Sequence, residues 1–141
     1  MRTRVGYAGG THANPTYHDL GDHTEAFQLD FDPAIVTYDE LLAMFWASHK
    51  ADRAPWSRQY MAAVFPTAEQ EAAALASCPA GALTPVIPRT RFYRAEDYHQ
   101  KYYLRHTPDL LAGLEALAPR DFVDSPLAAK RNGEAWQRRH R

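Results

Sequence analysis

The sequence predicts one α+β domain that covers residues 1–141. Hydrophobic residues make up 45% of the 141 positions, which is enough to bury one core. Short alternating apolar segments, typical of strands, lie among segments with helix start signals. No internal repeat, low-complexity tract or linker divides the chain. The predicted order is strand, strand, helix, strand, helix, strand, which is typical of α+β proteins.

Two strands are predicted in the first 31 residues. Residues 4–8 form a short apolar segment that ends at Gly9 and Gly10. A polar loop follows over residues 11–22 and contains an Asn-Pro turn signal. Apolar and polar side chains alternate over residues 25–31, which predicts a half-buried strand. Its apolar face consists of Phe27, Leu29 and Phe31.

Two capping boxes predict the starts of two helices. Thr37 and Glu40 form the first box, and the apolar stripe of the next residues predicts a helix that reaches about Ser48. A second box over residues 67–70 opens an alanine-rich helix that Pro79 must end.

Shorter elements are predicted in the rest of the chain. Residues 59–65 are expected to form a strand, and residues 83–93 an edge or bent strand that prolines interrupt. Residues 95–105 and 109–117 are expected to be helical. The tail from about residue 130 is expected to be poorly ordered.

Charge and cysteine content exclude several classes of protein. The net charge is -1, which argues against a nucleic-acid partner. No apolar stretch has the length of a membrane span, and the N-terminus has no signal-peptide core. The single cysteine, Cys78, excludes an internal disulfide, and no basic residue beside it in sequence activates it. We therefore expect a cytoplasmic protein without a membrane partner, in which Cys78 is inert.

One polar loop has the composition of a metal site. Residues 18–25 contain two histidines and three carboxylates, and Glu96 with His99 is spaced to add ligands from a helix. A di-iron site needs that spacing twice, and it occurs once. Ordinary loop hydrogen bonds explain the composition better, so no metal and no cofactor is predicted.

Three residues are candidate groups for acid catalysis or ligand binding. Glu25 begins an apolar strand, where partial desolvation would favour its protonated form and make it a general acid. Tyr17 and Tyr60 are candidate hydroxyl donors to a ligand. Taken singly, each residue is as well explained as an ordinary strand-end or core side chain.

Several motifs occur together in one order over about residues 3–104, and together they resemble the peptide methionine sulfoxide reductase A family. The matching segments are Val5–Gly10, Asn14–Tyr17, Gly21–Glu25, Phe31–Pro33, Phe45-Trp46 with His49, Arg58–Tyr60, Phe92-Tyr93, Ala95-Glu96 and Tyr98–Gln100.

The resemblance implies a two-layer ferredoxin-like sandwich and reduction of the S epimer of methionine sulfoxide, free or in oxidised proteins. Thioredoxin is the implied reductant. Glu25 is the implied general acid, and the hydroxyls of Tyr17 and Tyr60 are implied to bind the sulfoxide oxygen. Supporting roles fall to His23, Glu96 and His99.

The sequence departs from the family at its nucleophile. The family's Gly-Cys-Phe-Trp motif, with the first strand and first helix, is absent from the 141 residues. We therefore expect an N-terminally truncated chain, with Met1 a wrongly chosen start, that is inactive as it stands. Two alternatives are a cysteine-free module that binds methionine sulfoxide or a peptide, and a metal-binding or structural domain.

Overall fold

The computed structural model describes residues 1–141, and it confirms the α+β class. Three strands and six α-helices follow one another along the chain, with one 3₁₀ turn at Asp97–His99. The strands are β1 (Arg2–Ala8), β2 (Thr24–Asp30) and β3 (Tyr93–Arg94). The helices are α1 (Tyr38–Ala47), α2 (Glu71–Ser77), α3 (Tyr102–Arg105), α4 (Pro108–Leu111), α5 (Pro119–Asp124) and α6 (Pro126–Arg139). None of these helices is both long enough and apolar enough to span a membrane.

The strands form one antiparallel sheet in the order β2-β1-β3. Val5, in the central strand, accepts a hydrogen bond from the Ala95 amide at 3.0 Å. The Gln100 side chain also pairs with the Val5 backbone, because its Oε1 accepts from the Val5 amide at 2.9 Å and its Nε2 donates to the Val5 carbonyl at 2.8 Å. The chain after β3 is thereby tied to the middle of β1.

The strand predictions were only partly correct. Residues 2–8 and 24–30 are strands, as expected within two residues. Phe27 in β2 is 65% exposed, whereas Leu29 and Phe31 of the same predicted face are partly buried. Residues 59–65 and 83–93 are not continuous strands, because they meet only in an isolated bridge between Val64 and Val86. Prolines in the second segment remove the donors that a longer ladder needs.

The helix predictions differ from the structure mainly after residue 95. The first capping box and its helix are confirmed, and α2 ends before Pro79 as expected. The predicted helix over 95–105 is wrong, since Lys101 has a left-handed φ of 55° that separates the 3₁₀ turn from α3. Helix α4 is shorter than predicted. The tail from about residue 130 also differs from expectation, because it lies in α6, whose first turn is capped by the Ser125 side chain.

The chain forms two compact units, and its assignment to a single domain stays a prediction. One unit comprises Met1–Gly6, Phe27–Phe31 and Arg94–Arg141. Its apolar core consists of Leu104, Leu110, Leu114, Phe122, Val123, Ala128 and Ala135.

The other unit comprises Tyr7–Ala26 and Asp32–Tyr93, and will be called the loop unit. Its two helices are joined by a hydrogen bond from the Trp46 indole of α1 to the Ser77 hydroxyl of α2, at 2.9 Å. Leu42 of α1 and Ala74 of α2 are buried. Every residue predicted to act directly on the substrate lies in this unit.

Candidate active site

Glu25 is held at the start of β2 by the turn at residues 58–60. The Glu25 amide donates to the Gln59 carbonyl at 2.9 Å. The Gln59 side chain returns a second bond, because its Nε2 donates to Glu25 Oε1 at 3.0 Å. Main chain and side chain of Glu25 are therefore both fixed by one residue.

The same Gln59 amide nitrogen also donates to the Tyr60 Oη at 3.1 Å. Tyr17, at the tip of the tight turn between Thr16 and Asp19, contacts Tyr60 through a hydrogen bond between their hydroxyls. The pKa of Tyr60 is raised, chiefly by partial removal from solvent and then by the negative charge of Glu25 and by Tyr17. The structure therefore brings together Glu25, Tyr17 and Tyr60, which the sequence predicted as a site.

Arg58 connects the turn at residues 58–60 to the segments around Gly9 and Asp22 through hydrogen bonds. Its guanidinium donates from Nε to the Asp22 carbonyl at 2.9 Å and from Nη2 to the Gly9 carbonyl at 2.7 Å. Its own carbonyl accepts from the Thr24 hydroxyl at 2.7 Å. Residues 58 and 59 thus bond to successive residues at the start of β2, which sets the register of Glu25 against Tyr60.

Asp22 and His23 order the loop that follows β1. The Asp22 carboxylate accepts from the amides of His12 and Thr11 and from the Thr11 hydroxyl, at 2.8–3.0 Å. These bonds, that from the His12 amide first, hold the pKa of Asp22 far below its usual range. His23 is buried, and its Nδ1 accepts from the Gly10 amide at 3.1 Å. Its Nε2 must therefore carry the proton, which it donates to the His12 carbonyl at 2.6 Å.

Glu96 and His99 lie in the other compact unit, around the 3₁₀ turn. Glu96 Oε2 accepts from the Tyr98 hydroxyl at 3.0 Å and lies 3.8 Å from His99 Nε2. Their supporting role stays a prediction. No group of three or more His, Cys, Asp or Glu side chains in residues 1–141 is arranged to hold a metal ion. Cys78 is partly buried at the C-terminal cap of α2.

Three residues of this network were not singled out from the sequence: Gln59, Arg58 and Asp22. Gln59 and Arg58 lie beside Tyr60 in a motif that the sequence did identify. Their position next to Tyr60 could therefore have marked these two polar residues as candidates for the site. The bonds from Arg58 to Asp22 and from Gln59 to Glu25, however, join residues more than 30 positions apart, so only the folded chain reveals them.

Together the site offers one carboxyl group and two phenol hydroxyls in one place of the loop unit. A protonated carboxyl and a phenol are both hydrogen-bond donors, so the cluster is suited to an oxygen atom that carries partial negative charge. A carboxyl can also deliver a proton to such an atom.

Comparison with known proteins matches this chain to one family. The family model for peptide methionine sulfoxide reductase matches residues 1–120. The peptide methionine sulfoxide reductase of Drosophila melanogaster is 39% identical over 143 residues, covering 94% of this chain and 58% of the relative. Peptide methionine sulfoxide reductase A5 of Oryza sativa subsp. japonica is 37% identical over 149 residues, covering 96% of this chain and 59% of the relative.

A third relative gives the same result. The peptide methionine sulfoxide reductase MsrA of Methanosarcina mazei is 42% identical over 123 residues, covering 73% of this chain and 58% of the relative. The chain thus spans 58–59% of the length of these three relatives. Since the family model covers most of the 141 residues, including all of the loop unit, the chain belongs to the peptide methionine sulfoxide reductase family.

Proposed function

We propose that this chain is part of a peptide-methionine (S)-S-oxide reductase, which reduces the S epimer of methionine sulfoxide, and that the loop unit binds the sulfoxide group of that substrate. Glu25 is the general acid, and the hydroxyls of Tyr17 and Tyr60 bind the sulfoxide oxygen. The observation that carries the proposal is the bridge from Gln59 Nε2 to Glu25 at 3.0 Å and to Tyr60 at 3.1 Å, which unites two of the three groups. The ferredoxin-like two-layer core, implied by family resemblance, belongs to the same proposal.

The chemistry needs a donor at the oxygen and a nucleophile at the sulfur. A cysteine thiolate attacks the sulfoxide sulfur and forms an S–S bond, while the acid protonates the oxygen and the S–O bond breaks with its electron pair on the oxygen. The hydroxide released then attacks the cysteine sulfur, and methionine leaves with the electron pair of the S–S bond, so the cysteine becomes a sulfenic acid that thioredoxin later reduces. Glu25 supplies the proton. A phenol ordinarily ionises near pH 10, and the pKa of Tyr60 is raised further, so its hydroxyl is protonated at neutral pH and can donate to the oxygen.

Binding of a sulfoxide ligand tests the site without requiring turnover. N-acetyl-(S)-methionine sulfoxide amide is titrated into the protein and followed by NMR. Glu25→Ala is expected to weaken binding up to about tenfold, since a hydrogen bond between neutral groups is worth about 0.5–1.5 kcal/mol. Glu69→Ala removes an exposed glutamate and serves as the matched control. Absence of binding, or equal binding by Glu25→Ala, contradicts the proposal.

Turnover tests whether Cys78 takes part. We expect no thioredoxin-dependent reduction of methionine sulfoxide by this chain, because Cys78 caps α2 and lies in none of the matching motifs. Sulfoxide binding without turnover fits the alternative of a binding module. Turnover that Cys78→Ser abolishes would identify Cys78 as the nucleophile and overturn the expectation.

A further inference from the structure

The side chain of Gln59 contacts two of the three proton donors of the proposed site, Glu25 and Tyr60. Its single amide nitrogen carries two hydrogens, and the two bonds to Glu25 Oε1 and Tyr60 Oη use them both. Gln59 is half-buried, whereas Tyr60 is 51% exposed. The amide therefore holds the two groups from the protein side and leaves the Tyr60 ring open to a ligand.

The orientation of the Gln59 amide in the structure pairs it with Glu25 in either protonation state of the carboxyl group. In the opposite orientation its carbonyl oxygen would face Glu25 Oε1. Two oxygens can share a hydrogen bond there only if Oε1 holds the carboxyl proton. With the nitrogen in place, Oε1 acts as an acceptor whether Glu25 is ionised or neutral.

This bond decides which atom of Glu25 can act as the acid. Because Oε1 accepts from Gln59, the proton of the neutral carboxyl lies on Oε2. The same reasoning applies to Tyr60, whose oxygen accepts from Gln59. Its own proton therefore points away from the amide, to the Tyr17 hydroxyl in the free site and to the ligand oxygen once that atom is bound. One amide thus sets the direction of two proton donors.

The backbone of the turn does not depend on this side chain. The Glu25 amide bonds to the Gln59 carbonyl, and the Thr24 hydroxyl bonds to the Arg58 carbonyl. The Arg58 guanidinium adds two further bonds to main-chain carbonyls. Removing the Gln59 amide therefore leaves the turn attached to β2. It changes only the directions in which Glu25 and Tyr60 donate their protons.

We propose that Gln59 is a positioning residue that directs the protons of Glu25 and Tyr60 to the sulfoxide oxygen and so makes the site prefer a sulfoxide to a thioether. This inference rests on the proposed function. A thioether lacks the oxygen acceptor, so its binding does not depend on where the two protons point. Gln59 therefore controls the ratio of the Kd values for the thioether and the sulfoxide.

The test compares Kd values of N-acetyl-(S)-methionine sulfoxide amide and N-acetyl-methionine amide by NMR titration. Gln59→Leu is expected to reduce the preference for the sulfoxide up to about tenfold, the effect of losing one hydrogen bond between neutral groups, and to leave thioether binding unchanged. Gln70→Leu is the matched control, because the Gln70 side chain accepts from the Thr67 amide instead. Gln59→Glu retains the shape of the side chain but cannot donate at pH 7.

Acid pH separates positioning from a structural role. Below about pH 4.3 the carboxyl introduced by Gln59→Glu becomes protonated and can donate again. At pH 4, Gln59→Glu is therefore expected to recover part of the parent's preference at that pH, while Gln59→Leu does not recover. A uniform loss of affinity for both ligands, or no recovery, overturns the positioning role.

Failure of the two proposals gives different results. If the parent protein shows no preference for the sulfoxide, the proposed function and this inference both fall. If the parent prefers the sulfoxide and Glu25→Ala loses that preference while Gln59→Leu retains it, only the role of Gln59 is refuted.

Discussion

At the residue scale, the site depends on close backbone approach at Gly10. A Cβ atom on Gly10 would lie 2.5 Å from Asp22 Oδ1 and 2.7 Å from both the Asp22 carbonyl carbon and the His23 amide nitrogen. The two backbone atoms belong to the segment that leads into Glu25. Only glycine allows the loop after β1 to lie against this segment.

Gly10→Ala is therefore expected to destabilise the protein by about 1–3 kcal/mol, the range for overpacking at a tight contact. Gly133→Ala is the matched control, because nothing lies within 4 Å of its Cβ and it is inside helix α6. That change is expected to stabilise the protein by about 0.5–1 kcal/mol through helix propensity. Urea unfolding measures both, and equal effects of the two changes contradict the close approach.

At the element scale, two segments with the same capping signal differ in structure. In α1 the Thr37 hydroxyl accepts from the Glu40 amide, and the Glu40 carboxylate accepts from the Thr37 amide at 2.7 Å. These bonds from Thr37 hold the pKa of Glu40 below its usual value. In α2 the Gln70 side chain accepts from the Thr67 amide, but helix α2 begins later, at Glu71, and has no side-chain cap.

Thr37→Ala is therefore expected to cost about 1 kcal/mol of stability, since it removes the N-cap acceptor. Thr67→Ala is expected to change stability by less than about 0.5 kcal/mol, the usual size of a surface substitution. Thermal unfolding of the two variants checks the difference. If Thr67→Ala proves as costly as Thr37→Ala, the second box is formed in solution.

At the scale of the whole molecule, one buried lysine makes the free energy of unfolding change with pH in the alkaline range. Lys101 donates to the Thr3 carbonyl and, at 2.9 Å, to the Thr3 hydroxyl. Burial, followed by repulsion from Arg4, lowers the pKa of Lys101 from 10.5 to about 8. Between these two values the unfolded chain binds more protons than the folded chain, so the free energy of unfolding rises with pH.

We expect the free energy of unfolding to increase between pH 8 and pH 9.5 in the parent protein. Lys101→Met removes the titrating group and is expected to abolish this increase. The range stops below pH 10 because the raised pKa of Tyr60 acts in the opposite direction there. Urea unfolding at several pH values checks the prediction, and equal slopes in both proteins would refute it.

Much of the fold and of the candidate site could be predicted from local sequence signals. The capping box at Thr37, the α+β class and the motif positions of Glu25, Tyr17 and Tyr60 all depend on residues close together in the chain. The predicted helix over 95–105 failed because Gln100 bonds to β1, nearly a hundred residues away. Local propensity cannot anticipate such a bond.

The sequence by itself determined the family, the class of fold and the candidate acid and hydroxyl donors, because these follow from residue types and their spacing. The tertiary structure alone decided how the donors are arranged. Gln59 reaches Glu25 across 34 positions, and Arg58 reaches Gly9 across 49, so the site's geometry depends on non-local hydrogen bonds. Those bonds form only when the turn at residues 58–60 packs against the start of β2.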